Sequence, residues 1–204
     1  MSFKIIHVQH RHCVFTIARE LRPLFLQDRS LLNSLFSAVN RVVSRMFLKD
    51  NYAERFTPGF ICVLPTFGRD LKWNPHIHCL VSEGGVGLSL RWRHKKHFNY
   101  KLLRDSFQTV LLNELHSRIG DPFKKLKASV YADHKNGFYV RVLPNKCNPS
   151  HVIKYIGRYL GRPVIATSRI DSYDGEFVTF HYHRHEDEKL VSETIPVLDF
   201  IARL

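Results

Sequence analysis

Acidic residues are scarce in this sequence. Asp and Glu total 18 against 31 Lys and Arg, which leaves a formal net charge of +13. A surface this basic favours a polyanionic partner, because neutralising phosphates releases their condensed counterions. Cysteine is sparse too. Cys13, Cys62, Cys79 and Cys147 form no C-x-x-C pair, which argues against a zinc ribbon or knuckle, and cysteine usage in reducing compartments argues against a disulfide framework. Three of them, Cys13, Cys62 and Cys79, sit among apolar residues and read as small core side chains. Long apolar runs are missing. No stretch approaches the roughly 20 residues of a membrane span, and the polar, mixed segment Met1 to His12 lacks the apolar centre of a signal peptide. The expectation is a cytoplasmic protein without membrane contact. Repeats and low-complexity tracts are also absent.

What is present suits one folded domain. The chain has 204 residues, 44% of them hydrophobic and 24% charged, enough to bury a core without staples. Arg11 to Ile17 alternates and reads as a strand. Ser30 to Lys49 spaces Leu31, Leu35, Val39, Val42 and Met46 as one face of a helix, with Asp28 or Ser30 near its cap. Phe60 to Leu64 and Ile77 to Ser82 read as neighbouring strands joined by a turn-rich segment, Gly68 to Pro75. Gly84, Gly85 and Gly87 mark a loop. Tyr100 to Ser117 predicts a second helix ended by Gly120 and Pro122. Ser129 to Leu143 predicts a hairpin turning at Asn136-Gly137. A helix starts at Asn148-Pro149 and runs to Gly161, and a last hairpin turns near Asp174-Gly175. Helices and strands mix without regular β-α-β alternation. The class expected is α+β, an antiparallel sheet with helices packed on one face.

Two segments carry chemistry. In Pro75-His76-Ile77-His78-Cys79, a strand would project His76 and His78 to one face and Ile77 and Cys79 to the other. Two imidazoles in register can ligate one divalent cation, or can simply face solvent. A nuclease metal also takes a hard oxygen ligand, and Asp70 is the nearest preceding acid, with a turn residue as the competing reading. His181-Tyr182-His183 repeats the spacing but ends a polar hairpin arm and reads as solvated, while His94 and His97 lie in a basic loop. In the second segment, Tyr155 and Tyr159 stand four residues apart on one helix face, bordered by His151, Arg158 and Arg162, with Lys154 beside them. Cations near a phenol favour its phenolate and bind phosphate. Alone, the pair also suits surface tyrosines.

Taken in order, R-H-C-V-F-T-I-A-R-E-L-R-P-L-F, P-G-F-I-C-V-L-P-T-F-G-R-D-L, N-P-H-I-H-C-L-V and Y-I-G-R-Y-L-G-R resemble the two-tyrosine rolling-circle insertion-sequence transposases of the bacterial HUH superfamily. The resemblance covers roughly Arg11 to Leu204. It implies a palm-like, RRM-like antiparallel sheet with the H-x-H on a central strand. It implies Mg²⁺ or Mn²⁺ on His76 and His78, with Asp70 as third ligand, and Tyr155 and Tyr159 as nucleophiles forming 5′-phosphotyrosine links. Lys154, Arg158, Arg162, His151 and Arg69 are then expected to contact single-stranded DNA from element ends and target. Thr16 falls on the superfamily's first strand motif. Members usually carry a cysteine-rich zinc segment before that strand and continue beyond the last motif. The chain is therefore expected to be one catalytic core, 1–204, with 1–10 as a leader and 163–204 as a C-terminal hairpin and tail. The rival readings are a non-catalytic single-strand-binding remnant and a rolling-circle replication initiator.

Overall fold

The computed structural model describes residues 8–48, 53, 55–95, 97–147, 164–184 and 187–204. The fold is α+β. Its main sheet is antiparallel in the order β2-β3-β1-β5, with β4 on the end of β3. The strands are β1 (His10–Thr16), β2 (Thr57–Val63), β3 (His76–Val86), β4 (Trp92–His94) and β5 (Val140–Cys147). Helices α1 (Arg22–Gln27), α2 (Leu32–Leu48), α3 (Tyr100–Ile119) and α4 (Lys124–Asp133) accompany it.

Alternation divides the sheet into two faces. Cys13 and Phe15 of β1 and Ile77, Cys79 and Val81 of β3 enter the main core against α2 and α3. The faces of the helices that meet them carry Leu35, Val39, Val42 and Met46 on α2 and Leu103, Phe107 and Leu111 on α3, all buried. Burial of each such side chain stabilises the fold by about 1.5–3 kcal/mol. Arg118 of α3 clamps the start of α2, donating to the Ser30 carbonyl at 3.0 Å and the Ser30 hydroxyl at 2.9 Å. Asp28 caps the same region, accepting from the Ser30 amide at 2.9 Å. Cys13, Cys79 and Cys62 line up across three strands as free thiols. Burial pushes the Cys13 thiol up to about 12 and the Cys79 thiol well above its ordinary range.

Two local expectations change around the main sheet. Ser129 to Asp133 belongs to α4, so Asn136-Gly137 links a helix to β5 and is no hairpin turn. A short apolar stretch has no decisive period of its own, and here Val130 packs inward from a helix. Gly137 keeps a special role, with φ +75° and its Cα against the Arg104 backbone, where a Cβ would lie 2.6 Å from the carbonyl carbon. Gly84 and Gly85 lie inside β3 rather than in a loop. They are glycines because Gly85 backs onto the Thr57 carbonyl and Gly84 onto the Trp92 ring.

The C-terminal segment builds more than a hairpin. β6 (Ile170–Tyr173), β7 (Phe177–His183) and β8 (Leu190–Pro196) form a three-stranded antiparallel sheet, followed by α5 (Val197–Arg203). The expected turn at Asp174-Gly175 is there. The Asp174 carboxylate accepts from the Glu176 and Phe177 amides, and Gly175 has φ +104°. This sheet has its own core of Val178, Phe180, Ile195 and Phe200, joined by Ile165 and by Leu71 from the β2–β3 connection. Leu71 is 1% exposed at φ +62°, a backbone region a leucine rarely adopts.

Candidate functional site

The sheet face opposite the helices carries the histidines. Val63, His78, Val14 and Arg141 form one row across β2, β3, β1 and β5, and Ile61, Leu80 and His12 begin the next. His76 and His78 share this face as expected, with their ring centroids 4.8 Å apart. Thr16 is the register partner of His76. His12, diagonal to His78, was not singled out in the sequence. Its ring stacks on that of His78 at 5.0 Å, and its Nε2 lies 2.8 Å from His78 Nδ1. The signal was the parity of R-H-C-V-F-T, which puts His12, Val14 and Thr16 on one side of β1. Only the pairing of β1 with β3 brings that side to the H-x-H.

Both rings of the H-x-H are held through the same atom. His76 Nδ1 lies 2.7 Å from the Asn74 carbonyl, which can only accept, so Nδ1 carries the proton. His78 Nδ1 is engaged by His12. A metal-binding histidine commonly uses one ring nitrogen for the ion and the other for an orienting hydrogen bond. That engagement would leave Nε2 of each ring for an ion. Burial holds the His78 imidazole at about 3, helped by its histidine neighbours, and the His12 imidazole at about 4, helped by Arg141. Neutral imidazole is the form that binds a cation, so the donor set of His76 and His78 fits a divalent ion.

Asp70 is elsewhere. The β2–β3 ladder continues past His76, with the His76 amide on the Pro65 carbonyl, the Asn74 amide on the Thr66 carbonyl and Phe67 bridged to Trp73. Asp70 sits at the tip of this hairpin, several ladder steps beyond His76. Its carboxylate accepts from the Lys72 amide at 3.2 Å and faces the Lys72 ammonium at 3.7 Å. The triad of His76, His78 and Asp70 is not assembled. Among the described residues, no group of three or more His, Cys, Asp or Glu is arranged to hold a metal ion.

Arg69, at the same tip, pairs with Glu188 at 2.7 Å and donates to the His183 carbonyl at 3.3 Å, tying the hairpin to the C-terminal sheet. Arg169 returns a bond to the Arg69 carbonyl at 2.7 Å. His181 and His183 are a solvated strand end, held by Asp171 and by the Glu188 carbonyl. Tyr155, Tyr159, His151, Lys154, Arg158 and Arg162 lie outside the described residues. No helix among the described residues is long and apolar enough to cross a membrane.

Residues 59–204 match the Y2_Tnp family, described as "Putative transposase". The chain belongs to this transposase family. It is 27% identical over 209 residues to the transposase for insertion sequence element IS801 of Pseudomonas savastanoi pv. phaseolicola, covering 95% of this chain and 49% of that protein. It is 24% identical over 219 residues to "Putative transposase y4qJ" of Sinorhizobium fredii (strain NBRC 101917 / NGR234), covering 98% of this chain and 55% of that protein. The chain thus spans about half the length of the curated relatives it matches. No solved structure matches it. For a member of this transposase family, the H-x-H strand lies inside the matched residues and β1, with His12, lies before them.

Proposed function

We propose that this family member is a metal-dependent endonuclease and strand transferase that acts on single-stranded DNA during rolling-circle transposition. The observation that carries the reading is the pair His76 and His78 on the sheet face opposite the helices, each with Nδ1 already committed, in a chain of a transposase family. Mg²⁺ or Mn²⁺ would be held by His76 and His78, with water and phosphate oxygens completing its shell. When bound, the ion polarises the scissile phosphate and stabilises charge on the leaving oxygen. His12 is a positioning residue, fixing the orientation of His78 through the 2.8 Å contact.

The nucleophiles are Tyr155 and Tyr159. A phenolate oxygen attacks the phosphorus of a phosphodiester, a 5′-phosphotyrosine bond forms, and the bond to the 3′ oxygen breaks. The 3′ oxygen leaves with the pair of electrons and takes up a proton to become a 3′-OH. The covalent link keeps the phosphoester for later joining. Two phenols allow a second strand to be taken before the first is released. Lys154, Arg158, Arg162 and His151 surround these phenols in sequence and would bind the neighbouring phosphates.

The test is a covalent-adduct gel with labelled single-stranded DNA, with and without Mn²⁺. A metal-dependent shifted band is expected, lost in the variant carrying both Tyr155→Phe and Tyr159→Phe. A band that persists in that double variant would overturn the assignment of the nucleophiles. Tight binding without any band would instead support the binding remnant.

A further inference from the structure

A cleft of about 760 Å³ opens beside the histidine face, between the start of α1, the tip of the β2–β3 hairpin and the end of β7. Five cationic side chains line it, Arg19, Arg22, Arg69, Lys72 and Arg184, against one carboxylate, Asp70. Trp73 and Tyr182 supply aromatic wall. Trp73 is fixed there by its indole N–H, which donates to the Arg22 carbonyl at 2.9 Å. Tyr182 is steadied by the Phe180 ring at 6.0 Å and by the Glu193 carboxylate.

Three of these five cations already have carboxylate partners: Arg69 pairs with Glu188, Lys72 faces Asp70 and Arg184 is held by Asp187. Arg19 and Arg22 enter no ion pair among the described residues, and the half-buried Arg22 Nε makes no hydrogen bond. A guanidinium partly removed from water without an acceptor is unfavourable until an anion supplies one. The Asn74 Oδ1 is also buried without a partner.

The position of the cleft gives this meaning. Asn74 lines it, and the carbonyl of the same residue holds His76 Nδ1 at 2.7 Å. Arg19 stands three residues past Thr16, the register partner of His76. The cleft therefore begins where the histidine face ends. A basic groove with aromatic walls is the arrangement that follows a single nucleic-acid strand, with cations on the backbone and rings against the bases. Its volume lies in the range of pockets for small ligands, which suits a few nucleotides of one strand rather than a duplex.

We infer that this cleft holds the segment of single-stranded DNA flanking the cleavage point, with Arg19 and Arg22 on its phosphates. The inference rests on the reading proposed above and adds a strand site beyond the two histidines.

Its test is fluorescence anisotropy of the full chain with a labelled oligothymidylate, in EDTA, over a range of salt. The Arg19→Gln/Arg22→Gln variant is expected to bind at least about ten-fold more weakly. Its salt slope should fall by about 1.4, since each lost phosphate contact removes about 0.7. Arg41→Gln/Arg45→Gln removes the same charge from the exposed side of α2, at residues that do not line the cleft, and should stay within about two-fold of the parent. Equal loss in both double variants overturns the cleft, because charge alone would then explain binding. Duplex DNA bound as tightly as single-stranded, and with the same dependence on Arg19 and Arg22, overturns the assignment to one strand. No binding of any DNA by the parent chain would remove the proposed function itself. A second measurement does not depend on how the variants fold. Photocrosslinking of an iodouracil-substituted strand to the parent chain should place adducts on Trp73 or Tyr182, and adducts found only elsewhere count against the inference.

Discussion

At the residue scale, the buried histidines make stability depend on pH. His12 and His78 are 7% and 6% exposed, and burial holds their imidazoles at about 4 and about 3, below the ordinary 6.5. In the unfolded chain both take up protons near pH 6.5, while in the folded, metal-free chain they stay neutral to lower pH. Between those values the unfolded state binds more protons, so stability falls as pH falls from about 6.5 toward 4. Each histidine should contribute up to about 1.4 kcal/mol per pH unit in that window. Urea unfolding in EDTA at pH 7, 6 and 5 measures it, and His12→Asn should remove about one proton's worth of the slope. An unchanged slope in that variant would mean that His12 is solvated. Gly137 is a second residue-scale case. Its φ of +75° and the Arg104 backbone leave no place for a Cβ, so Gly137→Ala should destabilise by about 2 kcal/mol or more, read from the urea midpoint.

At the scale of elements, the β2–β3 hairpin joins the two sheets. Its base carries the H-x-H, and its tip inserts Leu71 into the small core of β6, β7 and β8. Arg69, Arg169 and Arg203 add bonds between tip and C-terminal segment, including Arg203 to the Asp70 carbonyl at 3.4 Å. Leu71→Ala removes a filled position in a small core, six buried residues among those described, and should destabilise by about 2–4 kcal/mol. Hydrogen exchange should show the loss first in β6–β8, with β1 and β3 protected, and uniform loss across both sheets would contradict separate cores. These elements also show what the sequence could and could not reveal. Strong periods were legible, as in α2, α3 and the His76–Val81 strand. So was the same-side placement of His76 and His78, which needs only the two-residue repeat of a strand. His12 was hidden because its role depends on which strand pairs with β3, a long-range fact. Asp70 was misplaced for the same reason. Proximity in sequence suggested a return beside the histidines, but the ladder stayed paired through Phe67 and Trp73 and carried Asp70 away. The helix at Ser129 to Asp133 gave way to a hairpin reading because Asn136-Gly137 is a strong turn signal whatever precedes it.

At the scale of the whole molecule, the proposed binding and the proposed metal chemistry draw on different side chains. The net charge of +13 far exceeds what the five cations and one carboxylate of the cleft supply, so affinity for a polyanion draws on many side chains at once. The proposed metal depends on two imidazoles, His76 and His78, which are not among the side chains counted in that charge. His76→Ala should therefore leave single-strand affinity within about two-fold of the parent and the salt slope unchanged. Removing one of two protein ligands should lower the yield of Mn²⁺-dependent covalent adduct by about 100-fold or more. The His76 side chain is only half-buried, so its loss should move the urea midpoint little, and the variant can be judged as a folded protein. The comparison requires both readouts on one preparation, with anisotropy in EDTA for binding and the adduct gel in Mn²⁺ for chemistry. Full adduct formation by His76→Ala would remove the metal from the histidine face. A matching loss of binding would mean that the histidines act by holding DNA rather than by holding the ion that acts on it.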